Sequence, residues 1–183
     1  MSCLFILLEA YNPIEVKTHR ELSNDGGKLL IWLTEGLSLR RHIDWTHSYC
    51  FRDQKKFLPT KKEDRKVFLE ESMEKLHSEM LETKDRHGEL VLVGLGKLSC
   101  ECLTGSTELS EKAGTYWTNI RKIWHDIVPD GEKVWIANSC DAALFDPSLC
   151  VEITRVLAKA AEDACIQTEI KLDIPMFDFT PFL

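Results

Sequence analysis

The chain has 183 residues, 44% of them hydrophobic, which suits one domain with a sizeable core. Its formal charge of −7 argues against a dedicated nucleic-acid binder, so any DNA contact must come from a local patch. Seven cysteines, an odd number with no tight framework, argue against a disulfide scaffold and suit reduced thiols in a cytoplasmic or nuclear compartment.

The chain opens on Cys3 to Leu8, a continuous apolar run of the kind found in a strand covered on both faces. It is too short for a membrane span and lacks the basic start of a signal peptide, so no membrane contact is expected. A loop follows from Ala10, with Asn12-Pro13 and Asp25-Gly26-Gly27 as breakers. Leu29, Leu30, Trp32, Leu33 and Leu37 then predict a short amphipathic helix ending near Gly36. Trp45 to Phe51 reads as a second strand. Pro59-Thr60-x-x-Glu63 has the form of a capping box heading a helix over 60–83. Leu90 to Val93 is a central strand that ends in Gly94-x-Gly96 and passes into a helix from Lys97 to Leu103. That junction is a common place to hold an anion. Trp117, Ile120, Ile123, Trp124 and Ile127 predict a helix over 116–127, with both tryptophans in the core. Lys133 to Ala137 is a fourth strand, and Pro147 to Ala164 a last helix.

Strands alternating with helices predict an α/β fold: a three-layer sandwich with a four-stranded, mainly parallel central sheet. Residues 1–170 form a single domain, and 171–183 an aromatic tail that either docks on this domain or engages a protein partner. In such sheets ligands bind beyond the carboxyl ends of the strands. The loops Glu9–Glu15, Thr46–Phe51, Gly94–Lys97 and Asn138–Leu144 should therefore converge on one mouth. Glu9 and Glu15 have the chemistry to orient or deprotonate a water there, although Glu15 reads better as a solvated loop acid. Lys55, Lys56 and Lys97 are the cations best placed to meet a phosphate backbone. Cys100-x-Cys102 has no second pair, so its thiols read as small buried hydrophobes; no metal and no cofactor are expected.

Six segments in this order resemble the uracil-DNA glycosylase superfamily, most of all its iron–sulfur type, family 4. Leu8-Glu9-Ala10-Tyr11-Asn12-Pro13-Ile14-Glu15 is similar to that family's first loop, keeping both acids and the alanine. Gly27-Lys28-Leu29-Leu30, Thr46-His47-Ser48-Tyr49-Cys50, Pro59-Thr60-x-x-Glu63, Val93-Gly94-Leu95-Gly96-Lys97 and Ala143-Leu144-Phe145-Asp146-Pro147 resemble the segments that follow. The resemblance implies a uracil-DNA glycosylase-like fold whose mouth receives a flipped base or nucleotide. It implies base contacts from Tyr11, Glu15, Leu22, His47, Asn138 and Ser139. A second register, in which Ala10-Tyr11-Asn12-Pro13 is similar to the loop of the mismatch-specific branch, implies that Asn12 places the attacking water, with Asn138-Ser139 as a remnant of that branch's second loop.

The departures are chemical. The family's His-Pro falls on Ser139-Cys140, and a hydroxyl stabilises a departing base anion only weakly. The uracil-reading Asn falls on His47, whose imidazole cannot present an amide's paired donor and acceptor. The stacking aromatic falls near Leu22. Of four cluster cysteines Cys50 alone is matched, which argues against an iron–sulfur cluster. The expectation is a divergent glycosylase-like protein without ordinary uracil excision that binds DNA, a nucleotide or a protein. The alternative is an active glycosylase for uracil or another modified base, with Glu9 or Asn12 placing water.

Overall fold

A computed structural model of the protein describes residues 2–54, 58–128, 133–171 and 176–182. The opening apolar run forms β1 (Cys3–Tyr11). Successive side chains of a strand point to opposite faces, so Leu4 and Ile6 enter one hydrophobic cluster while Cys3, Phe5 and Leu7 enter another. With both faces buried, the strand needs no polar alternation. β2 (Trp45–Gln54), β3 (Leu90–Leu95) and β5 (Val134–Ala137) lie parallel to β1, and β4 (Thr115–Trp117) pairs antiparallel with β5. The order across the sheet is β2-β1-β3-β5-β4.

Helices cover both faces. Packed on one are α2 (Asp25–Gly36), α6 (Cys140–Phe145) and α7 (Leu149–Asp163), through Leu29, Leu33, Leu144 and Ile153. On the other lie α3 (Lys62–His87) and α4 (Lys97–Thr104), through Met73, Met80, Leu98 and Leu103, and the short α5 (Leu109–Lys112) through Leu109. Each fully buried Leu or Met contributes roughly 1.5–3 kcal/mol by leaving water. Among the described residues no helix is long and apolar enough to cross a membrane. Phe177, Phe179 and Phe182 of the tail pack partly buried against the α2/α7 cluster, with Phe177 6.1 Å from the Trp32 ring.

Three expectations need correction. The sheet has five strands, not four, and the fifth lies in the segment expected to be helical. Helical spacing at 117, 120, 124 and 127 is coincidental, because these side chains belong to separate pieces. Thr115, Tyr116 and Trp117 are β-formers set against β5 by Gly114, whose φ of 78° few other residues adopt and whose N–H donates to the Ile136 carbonyl at 2.8 Å. Further on, Lys122–Trp124 is a single 3-10 turn that buries Trp124 completely, its Nε1 donating to the Cys102 carbonyl at 2.9 Å. Trp117, by contrast, sits at the sheet edge beneath Lys112, 3.0 Å from its Nζ.

The second correction concerns α3, whose N-cap is Lys61 and has no side-chain cap bond, so Thr60 heads no capping box. A capping box forms instead at Asn12 and Glu15, which head α1 (Pro13–Thr18) where a loop was expected. An Asn cap, Pro at the first helical position and Glu at the third are the residues this motif favours.

Candidate functional site at the carboxyl ends of the strands

Parallel register decides which residues reach the mouth. Ile6 of β1 pairs with His47, and Leu8 pairs with Tyr49. His47 and Tyr49 share one strand face, but Tyr49 stands one pleat nearer the carboxyl end and therefore fills the place expected for His47. Glu9, Glu15, Leu22, Tyr49, Ser139 and Cys140 surround a cavity of about 40 Å³. That volume takes a water or two, far below the roughly 300 Å³ at which small-molecule sites begin.

Glu15 is buried, not solvated, at 4% exposure. Its Oε1 accepts the Tyr49 hydroxyl at 2.7 Å and the Leu22 N–H at 2.7 Å, while Oε2 accepts the Asn12 N–H at 2.8 Å. Three donors on one carboxyl replace the water it lost on burial. Burial and the Glu15 hydrogen bond push the Tyr49 hydroxyl up, so it stays protonated and donates. Leu22 is buried at the wall of the mouth and holds a φ of 57°, a left-handed conformation that Glu15 clamps through the Leu22 N–H. The Tyr11 ring packs tilted against Tyr49, at 59° with ring centroids 4.4 Å apart, its hydroxyl donating to Glu21 Oε1 at 3.3 Å. Asn12 Oδ1 accepts the Ile14 N–H at 3.1 Å as the helix cap, which occupies the atom that would orient a water.

The β3–α4 junction does hold an anion, and the anion is the chain's own Glu9. Glu9 Oε1 accepts the Leu98 N–H at 2.9 Å in the first turn of α4, where backbone donors and the helix dipole favour negative charge. Gly96 permits the approach: its φ is 99°, and a Cβ there would lie 2.5 Å from Glu9 Cδ. Lys97 is exposed at the same helix start.

At the opposite side of the mouth, Asn138 is turned away toward α7. Its N–H donates to Glu152 Oε1 at 2.8 Å, and Nδ2 reaches the same oxygen at 3.1 Å. Ser139 caps α6, its Oγ accepting the Ala142 N–H at 3.2 Å. The Cys140 thiol is pushed up by burial and by Asp141, so it is no ready nucleophile.

His47 lies outside the mouth with its side chain 2% exposed. Its Nε2 is 3.3 Å from Glu21 Oε2, a distance that suits an ion pair, yet neither ring nitrogen makes a hydrogen bond among the described residues. Burial decides the matter, because the Glu21 carboxylate is half exposed and screened by water. Burial, with the nearby charges of Arg41 and His42, brings the imidazole down to about 3, so His47 is neutral. Lys55 and Lys56 lie outside the described residues.

Glu9, Glu15, Leu22 and Ser139 thus meet at one cavity, with Tyr11 and Asn12 beside it, whereas His47 and the Asn138 side chain are directed elsewhere. Tyr49 and Glu152 were missed. Strand period alone pointed to Tyr49, two residues beyond His47 on the same face, but Glu152 carries no local pattern that ties it to Asn138. Searches of protein-family models and of curated proteins found no match to this chain.

Proposed function

We propose that the chain is a divergent uracil-DNA glycosylase-like protein that does not excise uracil by the ordinary route, and that binds DNA, a nucleotide or a protein partner through the loops at the carboxyl ends of its strands. The observation that carries this reading is the filled mouth. The mouth, lined by Leu22 and Tyr49, keeps a cavity of about 40 Å³, far less than a flipped base would need. The groups suited to positioning water are engaged as well, Asn12 by the Ile14 N–H and Glu9 by the Leu98 N–H. A mouth of this kind presents its rim, not its interior, to a partner.

One observation favours a second reading, an active glycosylase for uracil or another modified base. Glu9 lines a cavity large enough for a water, and a carboxylate beside a water is what hydrolysis of an N-glycosidic bond requires. In that reading Leu22 moves aside when a base enters.

A base-release assay separates the two. Single-stranded and duplex oligonucleotides carrying uracil, hypoxanthine, xanthine or hydroxymethyluracil are incubated with wild-type protein, Glu9→Gln and Asn12→Ala, and the same oligonucleotides are run in gel shifts. The binding reading expects no free base from any of them. Release that either substitution abolishes would overturn it and establish the enzyme.

A further inference from the structure

Beside the mouth, along the outer edge of β2, lies a second concavity of about 800 Å³ lined by Tyr11, Val16, Arg20, Glu21, Arg41 and Arg52, with Glu15 forming the wall it shares with the mouth. Its size is that of a small-molecule site. Three arginines on one cleft are notable in a chain of net charge −7. Only Arg52 is engaged, in an ion pair with Glu79. Arg20 and Arg41 make no ion pair or side-chain hydrogen bond among the described residues.

One unmatched buried polar atom belongs to the cleft lining itself, and others lie nearby in the chain on β2. Five buried side-chain nitrogens lack a hydrogen-bond partner among the described residues, and four of them belong to Arg41, Trp45 and His47. Arg41 Nε is one. His47, whose side chain is 2% exposed, is directed at the cleft wall, with Nε2 3.3 Å from Glu21 Oε2. Native proteins pair nearly all such groups, so an orphaned buried guanidinium nitrogen points to a partner that binds from outside. A guanidinium fork matches a phosphate through paired N–H···O bonds, and two unengaged forks on one cleft suit a dianion better than a single carboxylate. Tyr11, half buried on the same wall, adds aromatic surface of the kind on which a base stacks.

We propose that the β2-edge cleft binds the phosphate of a nucleotide unit, with Arg41 and Arg20 as its ligands and Tyr11 alongside the base. The phosphate comes either from a free mononucleotide or from the backbone of a single strand. The site does not depend on whether the mouth excises a base: phosphate titration reads the cleft and base release reads the mouth, so each reading fails without the other.

The test is calorimetric titration with inorganic phosphate, thymidine monophosphate and a ten-residue oligothymidylate, alongside thermal shifts with the same ligands. Wild-type protein should bind phosphate and mononucleotide, with affinity falling about 10-fold or more in Arg41→Gln and in Arg20→Gln. Lys159→Gln, at an exposed position of α7 outside the cleft lining, should bind as wild type. Arg20 is exposed, so its variant tests the cleft even if Arg41→Gln folds poorly. Tighter binding of the oligonucleotide, weakening steeply with salt, assigns the backbone as source, and equal affinities assign the free nucleotide. Absence of binding to all three ligands, or binding that both arginine variants retain, overturns the proposal.

Discussion

The mouth and the β2-edge cleft share Glu15 as a wall, and they treat polar groups in opposite ways. In the mouth every candidate side chain has a structural engagement: Glu15 takes three donors, Glu9 caps α4, Asn12 caps α1 and Ser139 caps α6. In the cleft Arg20 and Arg41 are unengaged among the described residues, and His47, next to the cleft residue Glu21, is buried without a hydrogen bond. The mouth has the residue types of an active site and the bonding of a scaffold. The cleft carries no recognisable motif and has the unmatched chemistry of a binding site. Residue type at the expected end of a parallel sheet is therefore weaker evidence of function than whether the polar atoms found there are already satisfied.

That contrast is open to direct attack, most strongly at Glu15. Glu15→Ala leaves the Tyr49 hydroxyl and two backbone N–H groups without an acceptor, and should cost about 3–5 kcal/mol in urea unfolding. A loss below about 1 kcal/mol would mean that the network is not what shapes the mouth. Leu22→Ala comes next, at about 2–4 kcal/mol, and should enlarge the mouth cavity by the volume removed; a variant as stable as wild type would show that Leu22 does not plug it.

His47 sharpens the other side. Its folded-state value of about 3 lies below the ordinary 6.5, so between these two the unfolded chain binds more protons. The stability it contributes is complete above pH 6.5 and is lost as pH falls toward 3, at up to about 1.4 kcal/mol per pH unit. Denaturation at pH 7 and pH 5 should show this slope in wild type and less of it in His47→Phe; identical slopes would contradict a buried neutral imidazole. The smallest effect belongs to Glu9→Ala, about 1 kcal/mol from the lost helix cap, with amide exchange rising first in the opening turn of α4. Exchange unchanged at Leu98 would remove Glu9 from that role.

Much of the scaffold is legible in the sequence. Cys3–Leu8, Leu90–Val93 and Lys133–Ala137 are short apolar runs between breakers, and they became β1, β3 and β5 because burial on both faces leaves no other reading. The Gly94-x-Gly96 turn and the run from Lys97 to Leu103 placed α4 to within a residue. Residues 116–127 misled because aromatic and β-branched residues at three- and four-residue intervals satisfy a helix template while serving a strand and a turn. The site was legible only in part. Glu9, Glu15 and Ser139 were placed at the mouth by strand order and Leu22 only by the family resemblance, but the bonding of none of them was legible.

What the sequence by itself determined is the alternation of strand and helix, the parallel sheet and the end at which its loops gather, since these follow from local periodicity and turn chemistry. Tertiary structure alone decided that Tyr49 and not His47 reaches the mouth, that Glu9 satisfies α4, and that Arg41 is left without a partner. Those outcomes depend on strand register and on contacts between residues as far apart as 89 positions. No local pattern encodes them, because a hydrogen bond across the sheet is set by the packing of every element between its ends.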